Sequence, residues 1–296
     1  MRSRLAVAGL VAVLLGGVVG LQALHERNGG PPAAQTPNLL YVRSPEAMKR
    51  LALSYDQLLA DVYWIRTVQH YGRTKLSTEP AKQYDLLYPL LDLTTSLDPL
   101  MNVAYTFGSV FLAEPYPGGP GRPDLAIRLL EKGLEAQPQR WQFAQAIGFV
   151  HYWWLMDYPE AAAWFGRAAD MPGAPIWLAP LAATTLAQGG RRESSRQLWE
   201  QFERTAEDEW FRNEARRRVQ QLDAMDDVDR LAAAVVAFEK RFGAPPATWD
   251  ALGEGGFLRG VPFDPTGAPY RLESGRVTLD PRSRLNPLPT EPYKLQ

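Results

Sequence analysis

The chain has 296 residues, 46% of them hydrophobic and 22% charged, and a formal net charge of -1. Such a composition builds a substantial folded core, and near-neutrality excludes a global field that gathers nucleic acid. The absence of cysteine excludes disulfides, thiolate catalysis and Cys-based zinc sites, and the three histidines, His25, His70 and His151, lack the i, i+4 spacing that puts two imidazoles on one metal.

From Leu5 to Leu21 no polar side chain interrupts the sequence, and Gln22 is the only one before His25. About 20 such residues make a helix of roughly 30 Å, the thickness of a bilayer core. Arg2 and Arg4 precede the stretch while Glu26 offsets Arg27 after it, so residues 1–25 are expected to be an uncleaved transmembrane signal-anchor. The short N-terminus then stays in the cytoplasm and a single-pass protein of the inner (cytoplasmic) membrane displays its body on the extracytoplasmic, periplasmic side. A cleaved signal with Val18-x-Gly20 as its site puts the body on the same side. Residues 26–44, with Gly29-Gly-Pro-Pro32 and Pro37, read as a tether reaching roughly 25 Å.

Residues 45–71 resume helical periodicity. Leu51, Tyr55, Leu58, Leu59, Val62, Ile65 and Val68 recur three or four apart and are expected to form one buried stripe. Asp61 interrupts it, either as a polar contact in a docking surface or as a solvent-facing or ion-paired charge with Arg66 as the available partner.

Four later stretches share a small-x3-large-x2-small spacing: Leu87/Leu91/Thr94, Ala126/Leu130/Gly133, Ala161/Phe165/Ala168 and Ser195/Trp199/Phe202. Their starts lie 39, 35 and 34 residues apart, and Pro99, Pro138 and Pro172 close the first three. Upstream of three of them stand Trp64-x2-Thr67-Val68-x2-Tyr71, Phe107-Gly108-x2-Phe111 and Ile147-Gly148 followed by Tyr152, the last with one residue of slippage. A glycine there permits a close helix crossing, and the loop from Pro115 to Pro123 absorbs the five extra residues of the first interval. Over residues 55–207 the pattern resembles the tetratricopeptide-repeat family, with Thr67, Ser195 and Phe202 departing from the usual residue types. The fold class this implies is all-α: a tetratricopeptide-like α-solenoid over residues 45–242, carried on the N-terminal transmembrane helix.

Trp210–Leu222 and Val228–Phe242 read as two capping helices, the second with Leu231, Val235, Phe238 and Phe242 on one face. Residues 243–296 change character. Thr248 caps a helical turn through Leu252, and Tyr270-Arg-Leu272 and Arg276-Val-Thr-Leu279 alternate around Glu273-Ser-Gly275 as a small β-hairpin appendage that needs the last helices for support. Pro262-Phe-Asp-Pro-Thr-Gly-Ala-Pro-Tyr270 resembles the Asp-Pro-x-Gly-x-Pro-Tyr tail of type II secretion pseudopilins, but the acidic residue that pilins carry early in the membrane helix is missing before Glu26. It is read as a turn of the hairpin.

The carboxylate pairs Asp208/Glu209 and Asp226/Asp227 lie in polar runs, and no phosphate loop or nucleophile elbow is present, so no catalytic residue, cofactor or metal is expected and the protein is not read as an enzyme. Arg216-Arg-Arg218 reads as a solvated helix face. His151 to Trp154 cover more than half a helical circumference, so part of that aromatic group must face outward. In the tetratricopeptide family the first helix of each pair lines a concave surface, and by that register the inward residues here are Asn102, Tyr105, Ser109, Gln142, Gln145, Phe149, Tyr152 and Thr184. The resemblance implies a membrane-anchored scaffold that binds a protein or peptide of the cell envelope through this groove. A lipid or glycan carrier using the aromatic groove is the alternative, and an envelope enzyme is the third reading.

Overall fold

The computed structural model describes residues 13, 15–20 and 45–290. It has two compact units, Met1–Arg43 and Ser44–Gln296. In the first, Val13 and residues 15–20 are helical and exposed. The remainder of the expected membrane segment 1–25 and the expected tether 26–44 lie outside the described residues. Among the described residues no helix is long and apolar enough to cross a membrane.

The second unit is mostly helical: α1 Pro45–Leu51, α2 Asp56–Leu76, α3 Leu87–Leu97, α4 Asn102–Ala113, α5 Pro123–Ala136, α6 Trp141–Val150, α7 Tyr158–Ala169, α8 Leu178–Gln188, α9 Arg192–Thr205, α10 Glu209–Phe242 and α11 Trp249–Glu254. One two-stranded antiparallel sheet follows, β1 Tyr270–Glu273 on β2 Arg276–Leu279, with Tyr270 opposite Leu279. Local chemistry sets the helix ends. Pro123 opens α5, the Asp157 carboxylate caps α7 by accepting from the Glu160 N–H, and Asp208 caps α10 through the Phe211 N–H. Pro99, Pro138 and Pro172 fall just beyond α3, α5 and α7, where a missing N–H stops the helix.

Packing follows sequence order. α2 pairs with α3, α4 with α5, α6 with α7 and α8 with α9, and each pair rests on the next. The repeated positions are the contact points: Leu87, Leu91, Thr94, Ala126, Leu130, Ala161, Phe165, Ala168 and Ser195 are fully enclosed, with Trp199 4% exposed. Phe202 alone of the twelve is half-buried. Glycine is needed at two crossings. A Cβ at Gly108 would stand 2.5 Å from Leu91 Cδ2, and one at Gly148 would stand 2.5 Å from Phe165 Cε1.

The first helices of the pairs also meet one another. Phe111 of α4 stacks on Trp64 and Tyr71 of α2, with ring centroids 6.2 and 4.1 Å apart, and Tyr105 meets Phe143 of α6 at 5.1 Å. At one end of α6 Trp141 sits edge-on to Trp177, which precedes α8, and at the other the Tyr152 hydroxyl donates to Gln188 Oε1 of α8 at 2.9 Å. Contacts at both ends mean that α6 and α8 run side by side in the same direction. A π-turn, His151–Leu155, continues α6. It takes up one residue more than an α-turn, and that is where the Gly148-to-Tyr152 spacing slips by one.

Two expectations need correction. The two capping helices are one: α10 runs 34 residues, about 51 Å at 1.5 Å per residue. The acidic run Asp223–Asp227, which looked like a break, is held in helix by neighbours. Asp223 and Asp226 pair with Arg196 and Asp227 with Arg230. The apolar stripe of α2 is also not buried. Its packed face is Ala60, Tyr63, Thr67 and Tyr71, and the Thr67 hydroxyl is satisfied by the Tyr63 carbonyl at 2.8 Å.

Beyond Gly243, whose positive φ of 82° ends α10, the chain folds back on that helix. Leu252, Tyr270, Val277, Leu279 and Leu285 pack with Ala224, Leu231 and Val235 of α10. The fully buried Gln221 of α10 donates from Nε2 to the carbonyls of Leu285 and Pro287, both at 2.8 Å, which fixes the last described stretch along the helix. Asp264 organises the turn before β1. Its carboxylate accepts from the Thr266 N–H at 2.8 Å, the Thr266 hydroxyl at 2.7 Å, the Ala268 N–H at 3.0 Å and the Ser283 hydroxyl. Burial opposes its charge, but these donors outweigh burial and hold the carboxyl below its ordinary range. The segment 262–270 is therefore a turn built around one buried carboxylate and tied to Ser283.

Candidate partner-binding face

The row of first helices has an unusual composition. α4 (NVAYTFGSVFLA), α6 (WQFAQAIGFV) and α8 (LAPLAATTLAQ) contain no charged residue, whereas their partners α5, α7 and α9 each carry both signs. A charge-free helix is ordinary when enclosed, and α6 and α8 expose no residue, but α4 is open on one side. On α4, Val103, Phe107 and Val110 face solvent at i, i+4, i+7 spacing, with Phe107 56% exposed. On α2, Leu58, Val62 and Ile65 repeat that spacing, flanked by Val68, with Leu58 59% and Ile65 54% exposed. Beyond α6, Trp153 is 63% exposed on the π-turn, and Leu155 and Met156 follow it.

The eight residues expected to line the groove divide. Tyr105 and Ser109 are core, not surface. Tyr105 is fully enclosed against Phe143, where burial pushes its hydroxyl up to about 12, and the Ser109 hydroxyl is spent on the Thr106 carbonyl at 2.8 Å. The open face of α4 passes through Val103, Phe107 and Val110 instead. Asn102 is half-buried, and its Oδ1 accepts from Gln137 Nε2 at 2.9 Å. Gln142, Gln145, Phe149, Tyr152 and Thr184 are each half-buried. Phe149 meets Phe165 edge-on at 5.1 Å, and the Thr184 hydroxyl donates to the Pro180 carbonyl. The apolar strip on α2 and α4 was missed, although the lack of charge in α4 was a usable signal.

Polar groups gather at one end of that strip. A cleft of about 530 Å³ lies between the start of α2 and the turn before α4, lined by Tyr55, Asp56, Leu58, Leu97, Asp98 and Leu100. Asp56 Oδ1 is buried there with no hydrogen-bond partner among the described residues, and Asp98 Oδ1 accepts from the Leu100 N–H at 2.9 Å. Asp61 is exposed, and no hydrogen bond or ion pair joins it to a described residue. It lies one turn before Trp64, on the side of α2 that meets α4.

Other ionisable groups are engaged elsewhere. Arg216 pairs with Glu203 and Arg217 donates to the carbonyls of Arg284 and Asn286, which ties α10 to its neighbours, while Arg218 pairs with Glu214 within α10. Asp208 is a helix cap, Asp226 also meets Arg192 at 2.8 Å, and Asp227 accepts from the Tyr270 hydroxyl at 3.0 Å. Glu114 is held below the usual carboxylate range by the Lys75 ammonium and the Tyr71 hydroxyl. Burial, then the Arg73 charge, lowers the His70 imidazole. Among the described residues no three His, Asp or Glu side chains are grouped to hold a metal ion. Compared with family models, curated proteins and solved structures, the chain matches none.

Proposed function

We propose that this protein is a membrane-anchored scaffold whose helical pairs form a tetratricopeptide-like α-solenoid, and that the row of first helices binds another protein of the cell envelope. The observation that carries the reading is the charge asymmetry of the last three pairs. α4 is uncharged yet exposes Val103, Phe107 and Val110, and Trp153 is exposed on the π-turn that continues the uncharged α6, while α5, α7 and α9 carry charges of both signs. Exposed apolar residues gathered on one face are a feature of interaction surfaces. The 34- and 35-residue intervals and the glycine crossings support the solenoid, and the apolar run from Leu5 to Leu21 supports the anchor.

The test is site-specific photo-crosslinking of the full chain in its native membrane. With the reactive group at Gln145, Phe149 or Trp153, adducts to one membrane or envelope protein are expected, and none with it at the exposed Glu131 of α5. Equal labelling from both layers, or none from the first helices, refutes the reading. The anchor is checked separately. An alkaline-phosphatase fusion after residue 45 should be active and carbonate washing should leave the protein in the membrane, whereas release of a shortened soluble species would establish cleavage.

A further inference from the structure

The strip on α2 and α4 has a chemistry that narrows what it takes. The two helices run in the same direction: Tyr71 meets Phe111 toward their C-terminal ends, and the Tyr55–Leu58 start of α2 shares a cleft with Leu100 just before α4. Leu58, Val62 and Ile65 therefore stand beside Val103, Phe107 and Val110 as two apolar lines with the same i, i+4, i+7 period. Few side chains along them offer a hydrogen bond: Asp61 beside the α2 line and the exposed Gln69 one turn beyond Ile65. The Thr106 hydroxyl is already given to the Asn102 carbonyl at 3.1 Å, and the backbones of α2 and α4 are satisfied within their own helices. An extended peptide laid here would leave its N–H and C=O groups without partners away from water, so an occupant must satisfy its own backbone. Asp56, Asp61 and Asp98 lie toward the start of α2 and share one sign, and the half-buried Arg66 beside Ile65 lies over the Tyr63 ring at 5.3 Å. Asp56 has a buried oxygen without a donor, and Asp61 has no ion pair among the described residues.

We propose that the strip seats a short amphipathic helix of the partner protein, with its apolar face on Leu58, Val62, Ile65, Val103, Phe107 and Val110 and a lysine or arginine at the end nearest Asp56 and Asp61. The inference rests on the scaffold reading and names the chemistry of its partner. The guest needs about three turns, since Leu58 to Val68 spans about 15 Å along α2. Three carboxylates on the rim disfavour the anionic surface of a bilayer, and the open strip gives apolar side chains the slots that the half-buried glutamines of α6 do not.

The probe is a fluorescein-labelled 14-residue helical peptide with leucines at i, i+4, i+7 and i+11 and three lysines at one end. It is titrated by anisotropy against the full chain in phosphatidylcholine nanodiscs. Saturable binding is expected, weakened tenfold or more by Ile65→Gln or Phe107→Gln and severalfold by Asp61→Asn. A peptide with three glutamates in place of the lysines should bind at least tenfold more weakly. Both glutamine variants change solvent-facing residues, and an unchanged melting temperature shows that the fold is intact. Absence of saturable binding, binding indifferent to Ile65→Gln and Phe107→Gln, or equal binding of the glutamate peptide overturns the proposal. So does retention of the lysine peptide on empty nanodiscs that matches retention on loaded ones. If the chain dimerises and Phe107→Gln makes it monomeric, the occupant is a second copy and the proposal falls. Any of these results with crosslinks still forming at Gln145 or Phe149 leaves the scaffold reading standing; loss of those crosslinks removes the scaffold reading itself.

Discussion

Gly148 sits at the close crossing of α6 and α7, and its replacement gives a sharp stability test. A Cβ at that position lies 2.5 and 2.6 Å from Phe165 Cε1 and Cδ1 and 3.2 Å from the Ala161 carbonyl oxygen. Carbon atoms in good contact sit at about 3.5–4.0 Å, so α6 and α7 must part by roughly 1 Å or the enclosed Phe165 ring must turn. Phe165 has no room to turn, being fully buried and edge-on to Phe149. Overpacking of this kind costs about 1–3 kcal/mol, against which alanine recovers up to about 1 kcal/mol of helix propensity. Gly166 of α7 separates the two effects, because nothing lies within 4 Å of its Cβ position. Gly166→Ala should therefore stabilise by up to about 1 kcal/mol, and Gly148→Ala should be less stable than Gly166→Ala by about 1–3 kcal/mol. In a chain of this size that difference is a gap of about 2–12 °C in Tm, with Gly148→Leu lower still. Melting of the three purified full-length variants, followed by circular dichroism, reads it directly. If Gly148→Ala melts with Gly166→Ala, the close crossing of α6 and α7 does not exist.

Three further outcomes follow from polar groups. Asp264→Asn should destabilise the C-terminal hairpin by about 1–3 kcal/mol, the range for losing bonds to a buried charge. Because the folded pKa of Asp264 is depressed, its contribution is complete above the unfolded value and is lost as pH falls through the lower folded value. Protection factors for hydrogen exchange at Tyr270–Leu279 should thus fall below about pH 4 in the wild type and show less of that acid fall in Asp264→Asn. Gln221→Met keeps volume but removes both bonds to the carbonyls of Leu285 and Pro287, and should cost about 1–3 kcal/mol and open residues 283–288 to proteolysis. Unchanged cleavage would mean that apolar contacts alone hold that stretch. Tyr84→Phe removes the hydroxyl that bonds the carbonyls of Pro117 and Gly118 at 2.9 and 3.0 Å, and should lower stability by about 0.5–1.5 kcal/mol, measurable by denaturant titration.

The repeated spacing was readable because it depends on local geometry. Ala126, Leu130 and Gly133 must share a face of α5 wherever that helix goes, and a small residue there is useful only at a crossing. The hairpin was equally local, since Ser274 and Gly275 both adopt the positive φ that a tight turn between β1 and β2 requires. The orientation of α2 was not local. Its period locates an apolar line at Leu58, Val62 and Ile65, but burial depends on what α3 presents, and α3 accepts the small and hydroxylated face through Ala60 and Thr67. Tyr105 misled for a related reason. A hydroxyl suggested a groove, yet the ring fills the junction of three helices and its hydroxyl finds only the Thr95 carbonyl at 3.4 Å. The single α10 was hidden because Asp223, Asp226 and Asp227 find their partners on α9 and one turn on, which a linear reading of a charge run does not reveal.

The length of α10 changes how the molecule comes apart. Stacked helix pairs normally fray from their ends, because the last pair has a neighbour on one side only. Here the final pair leans on a helix whose far half packs on the hairpin and whose near half is bonded to the 283–288 stretch through Arg217 and Gln221, and Leu288 touches the apolar clusters on both halves. Opening α9 therefore requires releasing α10, and releasing α10 dissolves the hairpin with it. The C-terminal end should then melt as one cooperative block, and the first pair, which among the described residues has only the short α1 beyond it, becomes the looser margin, the same margin that carries the exposed Leu58, Val62 and Ile65.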